Sequence, residues 1–508
     1  MKKLFAMMLA LVMVLAAVPV LAEGEETYVA KIGEQEYTTL DEAIEAANDG
    51  NTIVLLADCE TKGMNLNKDL SIDGGTDKHT VRFTQYGIAL WEKSLMFKNC
   101  KVVMNGIGST PYAEWSWMAI CASKDASLLL ENTEMTMNGA EGNTAHAIYF
   151  CSNNKLNLTD SKLEIKNYQQ DALEWDGGDG GYNVNITKST FISDHNRSGF
   201  TGTFTAKIDN SKVDVINSTG NGSNGSHFEI VNGSAVNFSD NNAHGLSTGR
   251  LTIDNSTVTA NGNGANGVHA GNTLIIKNNA VVEIKKNGCR IISKYTIPGA
   301  LYVYGAEGSN IDKTSAVTIT ENKGSGILLK GGSLNIEEGA KLTVMNNTAE
   351  RLEYGGGVNV RGNLTLPQNA KIYNNHAAKA GDDIYNAEDA SITFGNVGSA
   401  WILDDCNHMI NGWYDDAENS RWNSTCDGKP CIAERPDHAS MVVAGTISGP
   451  KALKAAHDAQ ITTEDPWYPP YNPTPVQPVQ PVQPAPLPPQ TGDMPLWYAV
   501  AQFLGLVK

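Results

Sequence analysis

Leu251-Thr252-Ile253-Asp254-Asn255-Ser256-Thr257-Val258-Thr259 reads as two short strands joined by a polar corner. Leu251 and Ile253 alternate with polar neighbours, Asp254 to Ser256 turns, and Val258 resumes the alternation. A period of two means a strand with one buried face. The cassette recurs with corners at Asn132, Asp160, Lys188, Asn210, Asp240, Asn278, Glu338 and Gln368. Each corner follows an inward pair: Leu128/Leu130, Leu156/Leu158, Val184/Ile186, Ala206/Ile208, Val236/Phe238, Leu274/Ile276, Leu334/Ile336 and Leu364/Leu366. A unit that returns this often is a structural repeat.

A second strand precedes each cassette, centred on Ile88, Ile120, Ile148, Leu173, Phe200, Phe228, Leu246, Val268, Ile327 and Val358. The centres mostly fall about 18 to 33 residues apart, the length of one solenoid coil with loops of varied size. Strands this short bury a face only by stacking on the next coil. In this pattern the chain resembles the right-handed parallel β-helix, or pectate-lyase-like, superfamily, over residues 52–400. The expected fold is all-β, a right-handed parallel β-helix with a small N-terminal α/β cap and a Pro-rich C-terminal stalk. Asn stacked at the cassette corner would bond to the coil above, in a ladder that Lys188 and Glu338 interrupt.

The two ends speak to compartment. Met1–Ala22 reads as a secretory signal peptide, with Lys2 and Lys3 ahead of an apolar run and Val20 and Ala22 as the small residues before cleavage. Residues 461–489 are Pro-rich with Val-Gln-Pro repeats, an extended spacer. Pro488-Pro489-Gln490-Thr491-Gly492-Asp493, an apolar run to Val507 and Lys508 follow. This order resembles the LPxTG cell-wall sorting signal of Gram-positive surface proteins, with Pro488 in place of Leu. The resemblance implies that a sortase cuts between Thr491 and Gly492 and joins Thr491 to peptidoglycan. The expected location is therefore extracellular, on a Gram-positive cell wall.

The 508 residues carry a net charge of -18, with no basic stripe for phosphate backbones, so nucleic acid is not an expected partner. Eight Cys are too few for a disulfide framework in so long a chain. Cys59, Cys100, Cys121, Cys151 and Cys289 suit small apolar fillers. Cys406, Cys426 and Cys431, with His408, leave zinc, a disulfide and free thiols open.

Residues 23–58 predict a cap: a hairpin around Gly33, then a capping box from Thr39 to Glu42 opening a helix with Leu40, Ala43, Ile44 and Ala47 on one face. Residues 401–460 lose the repeat. Trp401, Trp413, Tyr414 and Trp422 among Asp404, Asp405, Asp415 and Asp416 fit a second cap or a small sugar-binding module.

Coil register places Ala89, Cys121, Tyr149, Glu174, Thr201, Glu229, Ser247, His269, Leu328 and Asn359 on one outward column. Glu174 and Glu229, two coils apart, would then sit roughly 9–10 Å from each other, near the upper edge of the spacing of an inverting glycosidase. Glu174, Asp176 and Glu229 are the candidate catalytic carboxylates, and Tyr149, Trp175 and His269 the candidate binding residues. Asp171, Asp176 and Asp179 around Trp175 fit a solvated loop, a Ca²⁺ site or a general acid. Ala243-His244-Gly245 resembles the Gly-His-Gly motif of polygalacturonases, but its place in the repeat is shared by Asn266-Gly267 and Gly356-Gly357. Pectate-lyase-like sites imply an Arg base beside Asp ligands; Arg197 and Arg250 are nearest, and the sequence gives neither a partner. Two functions follow. One is a wall-anchored, adhesin-like protein presenting a face to glycans or a host or neighbouring cell surface. The other is a secreted β-helix lyase or glycoside hydrolase acting on acidic or plant-type polysaccharide.

Overall fold

The computed structural model describes residues 27–456 apart from 141, 143, 152, 178–180, 289–298, 306–307, 350–353, 403–408 and 419–440. The signal peptide, stalk, Thr491, Gly492, Asp179, Cys289 and the Cys406, Cys426, Cys431 and His408 set all lie outside those residues. So do Trp422, Asp404 and Asp405.

Each coil contributes three short strands, and like strands stack in parallel into a solenoid of about 13 turns. The first ladder runs through Met64, Ile88, Ile120, Ile148, Leu173, Phe200, Ser223 and Leu246, then Val268, Leu301, Ile327, Val358 and Ile384. The second is almost pure aliphatic: Ile53, Ile72, Phe97, Leu130, Leu158, Ile186, Ile208, Ile230, Ile253, Ile276, Ile311 and Ile336. The third forms its own 13-stranded sheet. Inward residues of all three meet in one continuous core. Cys59, Cys100 and Cys121 are buried free thiols within the column, as fillers should be. Burial pushes the first two up to about 12, which leaves them unreactive.

Two corners bend each coil, and both use left-handed backbone. Between the second and third ladders stand Asn132, Asp160, Lys188, Asn210, Asn232, Asn255 and Asn278, all at positive φ. Asn and Asp tolerate this conformation best. A small hydroxyl follows most of them: Thr133, Ser161, Ser189, Ser211 and Ser256 directly, and Ser234 one residue later, after Gly233, whereas Asn278 is followed by Asn279. Each Ser oxygen accepts the backbone N–H of the preceding coil's member at 3.0–3.2 Å. After the third ladder comes the other corner, with Asn217, Asp240, Lys286, Glu321, Asn346 and Asn374 at positive φ. Behind it runs a buried amide ladder, Asn241, Asn263, Asn287, Asn322, Asn347 and Asn375. Each Nδ2 donates to the next Oδ1 at 2.8–3.0 Å.

Three expectations are corrected here. The long buried Asn ladder belongs to the second corner; at the cassette corner the stacking is a short piece, Asn132 Nδ2 donating to Asn99 Oδ1 and Asn99 Nδ2 to Asp73 Oδ1. Asp240 sits at that second corner too, so Val236/Phe238 lies in the third ladder. Phe228 is a second-ladder residue, and Ser223 holds its place in the first. The cause is that this coil, one unbroken strand Ser223–Val231 like the two after it, has the polar Ser223 at its first-ladder position, so Phe228 is the first large apolar residue it offers.

Both ends of the core are covered. The helix Leu40–Ala46 has the capping box the sequence predicts, with Thr39 Oγ1 accepting from Glu42 N–H and Glu42 Oε2 accepting from Thr39 N–H, each at 3.2 Å. At the far end Gly445–Ser448 and Lys451–Ala456 pair antiparallel with the last coil. Trp401 and Trp413 are only 3% exposed, so they fill a cap core and offer no stacking surface to a sugar. Capping removes the open edges on which further chains would add.

The amide ladder ends on Asp383. Its Oδ1 accepts from Asn375 Nδ2 at 2.9 Å, and its Oδ2 from the Ala455 N–H of the cap at 2.7 Å. Burial pushes this carboxyl up to about 7, against the pull of those donors. Because an unfolded Asp ionises near ~3.9, the stability it supplies is complete below about pH 4. It is lost as pH rises toward about 7, at roughly 1.4 kcal/mol per pH unit. Asp383→Asn should be less stable than wild type, since its amide turns N–H against N–H on one side. The gap between their unfolding midpoints, measured by denaturant titration, should narrow from about pH 5 to about pH 8. A gap independent of pH would contradict this assignment.

Candidate functional site

The outward column of the first ladder is Ala89, Cys121, Tyr149, Glu174, Thr201, Asn224, Ser247, His269, Tyr302, Leu328 and Asn359. It agrees with the sequence-derived column except at Glu229, whose place Asn224 takes, and at Tyr302, which belongs to a coil that the sequence reading does not identify. Glu229 lies five residues further along the same strand, about 16 Å at ~3.3 Å per residue. It faces Lys207 and Thr252 in the second ladder. Its Oε2 accepts a 2.5 Å hydrogen bond from the Tyr182 hydroxyl, which pushes that phenol up to about 12. The proposed spacing of Glu174 and Glu229 is therefore not formed.

The early coils carry a cluster of aromatic rings. An insert before Met118 turns through a short 3₁₀ segment, Ala113–Trp115, and lays Trp115 on Trp91 at 4.4 Å, with Tyr112 edge-on to both. Trp117 follows, 46% exposed. Its ring meets His146 at 5.4 Å and Tyr149 at 5.3 Å, both edge to face.

Acidic groups line the next coil. Tyr149 donates to Asp176 Oδ2 at 3.1 Å, and burial together with that carboxylate drives the phenol far above its usual range. His146 Nδ1 lies 2.6 Å from Glu174 Oε2. Asp171 is fully buried, and Arg197 from the next coil holds it with Nε to Oδ1 at 2.9 Å and Nη2 to Oδ2. That contact raises the guanidinium further above its ordinary value. Arg197 thus has the partner that the sequence did not supply, and as a paired cation it is unsuited to act as a base.

The remaining predicted site residues fall apart. Trp175 points inward, 1% exposed, with its ring at 5.0 Å from Phe150 and Nε1 donating to Asn154 O, so it belongs to the core and not to a binding face. Of the Asp171, Asp176 and Asp179 set, Asp171 is locked by Arg197 and Asp176 faces Tyr149, while Asp179 lies outside the described residues. The described residues instead bring Asp171 to His146 and Glu174. His269 lies four coils from Glu174, about 19 Å at ~4.8 Å per coil. There Ser247 Oγ meets its Nδ1 at 3.0 Å and Tyr302 its ring at 4.5 Å. His244 is half-buried, accepts from Asn266 N–H at 3.3 Å, and is depressed to about 4, chiefly by desolvation. It is a neutral repeat residue, as its register implies.

Sequence reasoning missed Trp117, His146 and the Asp171–Arg197 pair. The Trp115-Ser116-Trp117 insert was the available signal, but it lies off the repeat and no register assigns it a neighbour.

These observations define a parallel β-solenoid protein whose early coils expose half-buried aromatic rings beside carboxylates. No protein-family model matches the chain. No curated protein matches it either.

Replacing Arg197 by Gln would leave the Asp171 carboxylate buried without its cation. Because Arg197 is itself half-exposed, the loss in unfolding free energy should fall somewhat below the ~3–5 kcal/mol of a fully buried broken pair. Arg197→Lys should recover only part of it, because an ammonium cannot reproduce the fork. A Gln variant as stable as wild type in denaturant titration would refute the pairing.

Proposed function

We propose that the protein is an extracellular, wall-anchored, adhesin-like β-solenoid that binds a glycan on the face around Trp117, Tyr149, Glu174 and Asp176. The observation that carries the reading is the exposed Trp117 ring set against Tyr149, whose hydroxyl already touches Asp176. An indole offers a flat apolar surface to the apolar face of a sugar ring, and carboxylates accept from its hydroxyls. A solenoid suits this role because adjacent coils extend such a surface in steps of ~4.8 Å. The anchoring half of the reading is supported by the order of the signal peptide, the Pro-rich spacer and the sorting-like Thr491-Gly492. A sortase would attach Thr491 to peptidoglycan, and the stalk would hold the face clear of the wall.

A lyase or hydrolase retains one supporting observation. Glu174 and Asp176 stand two residues apart on one strand, roughly 7 Å, near the lower limit for an inverting pair. Asp176 already accepts from the Tyr149 hydroxyl, which counts against it as one member of such a pair.

A glycan array separates the two. Wild type should bind without releasing product, Trp117→Ala should lose at least tenfold in affinity, and Asp176→Asn should lose less. Product release abolished in Glu174→Gln would establish the enzyme reading. Binding unaffected by Trp117→Ala would remove the face.

A further inference from the structure

His146 comes from one coil and Asp171 and Glu174 from the next, and one ligand atom of each lies within 4.8 Å of the others. His146 is 8% exposed, Asp171 is fully buried and Glu174 is half-buried. His146 Nδ1 and Glu174 Oε2 touch at 2.6 Å. Neither atom is aligned for a hydrogen bond to the other, and neither makes one elsewhere among the described residues. Native interiors rarely leave two such atoms unsatisfied side by side.

A proton shared along the Nδ1–Oε2 line would need the alignment that is missing. A cation set off that line, toward Asp171 Oδ2 at 3.9 Å from Nδ1, would serve all three groups at once. Arg197 does not close the site. It fixes the orientation of the Asp171 carboxylate, and each carboxylate oxygen keeps a second lone pair for another ligand. The Arg197 charge offsets that of Asp171, so Glu174 and Asp176 are left as the net negative charge of the region.

We propose that His146, Asp171 and Glu174 bind one divalent transition-metal ion of the zinc class. One imidazole and two carboxylates suit Zn²⁺ or Mn²⁺ better than Ca²⁺, which takes oxygen ligands. Three protein ligands leave further coordination to water or to a hydroxyl of a bound glycan, and in that last respect alone the proposal rests on the glycan-face reading. The metal would then couple the buried carboxylates to the exposed Trp117 and Tyr149 rings, both edge-on to His146.

The test is the zinc stoichiometry of the metal-stripped full chain, titrated with ZnCl₂ by calorimetry. Wild type, His146→Ala and Glu174→Gln are compared after circular dichroism and unfolding midpoints confirm that both metal-free variants are folded. Wild type should take up one equivalent more than either variant, whatever zinc the remaining Cys and His residues hold. Equal stoichiometry in wild type and the isosteric Glu174→Gln would overturn the site. No glycan is present, so that failure would leave the array result standing, and a failed array would leave the zinc count standing.

Discussion

Every strand in the column depends on the coil beside it. A three-to-five-residue strand leaves its backbone groups unpaired until the equivalent strand of the next turn arrives, and leaves its aliphatic residues in water until the core closes. Parallel stacking solves both together. Ile208 meets Ile186 on one side and Ile230 on the other, and their backbones are bonded through the same register. The constraint also acts at the corners, where backbone that leaves the ladder must still be satisfied. Hydroxyls do this at one corner and amides at the other, each bonding to the coil ahead.

The two solutions differ in stiffness. A Ser oxygen accepts one N–H from its neighbour and donates back to a carbonyl of its own corner or of the coil before, as Ser211 does to Asp209 O and Ile186 O. A buried Asn reaches both ways. Asn322 donates to Asn347 and to Ile284 O while its Oδ1 accepts from Asn287. Such an amide network fixes register, because shifting one coil would strand several buried donors at once. That rigidity is what lets side chains from separate coils meet in a fixed geometry. His146 and Arg197 are far apart in the chain, yet both reach Asp171.

Much of this fold was legible because its physics is periodic. Alternating Leu and Ile mark the strands, and Asn or Asp after them marks the corners. The outward column followed from those two signals and held at Tyr149, Glu174 and His269. It failed where periodicity falls silent. Ser223 puts a polar residue where other coils carry an aliphatic or aromatic one, so the pattern offers Phe228 one ladder too early and Glu229 goes with it. Trp175 stands among the candidate binding residues because of its acidic neighbours, although alternation from Leu173 turns it inward. The aromatic insert and the His146–Glu174 contact had no signature, since both depend on which coils become neighbours and on how a loop lies over them.

The claim on which all of this rests is that residues far apart in sequence stand at fixed steps along one axis. Thr136, Asn237 and Thr343 occupy a single outward column of the third ladder, with Asn237 four coils from Thr136 and Thr343 eight coils from it. Spin labels placed pairwise on cysteines at these positions and read by pulsed electron resonance measure the axis directly. Stacking at ~4.8 Å per coil predicts about 19 Å for the shorter pair and about 38 Å for the longer, with narrow distributions. Distances that do not double, or broad distributions reporting separate bodies, would contradict it.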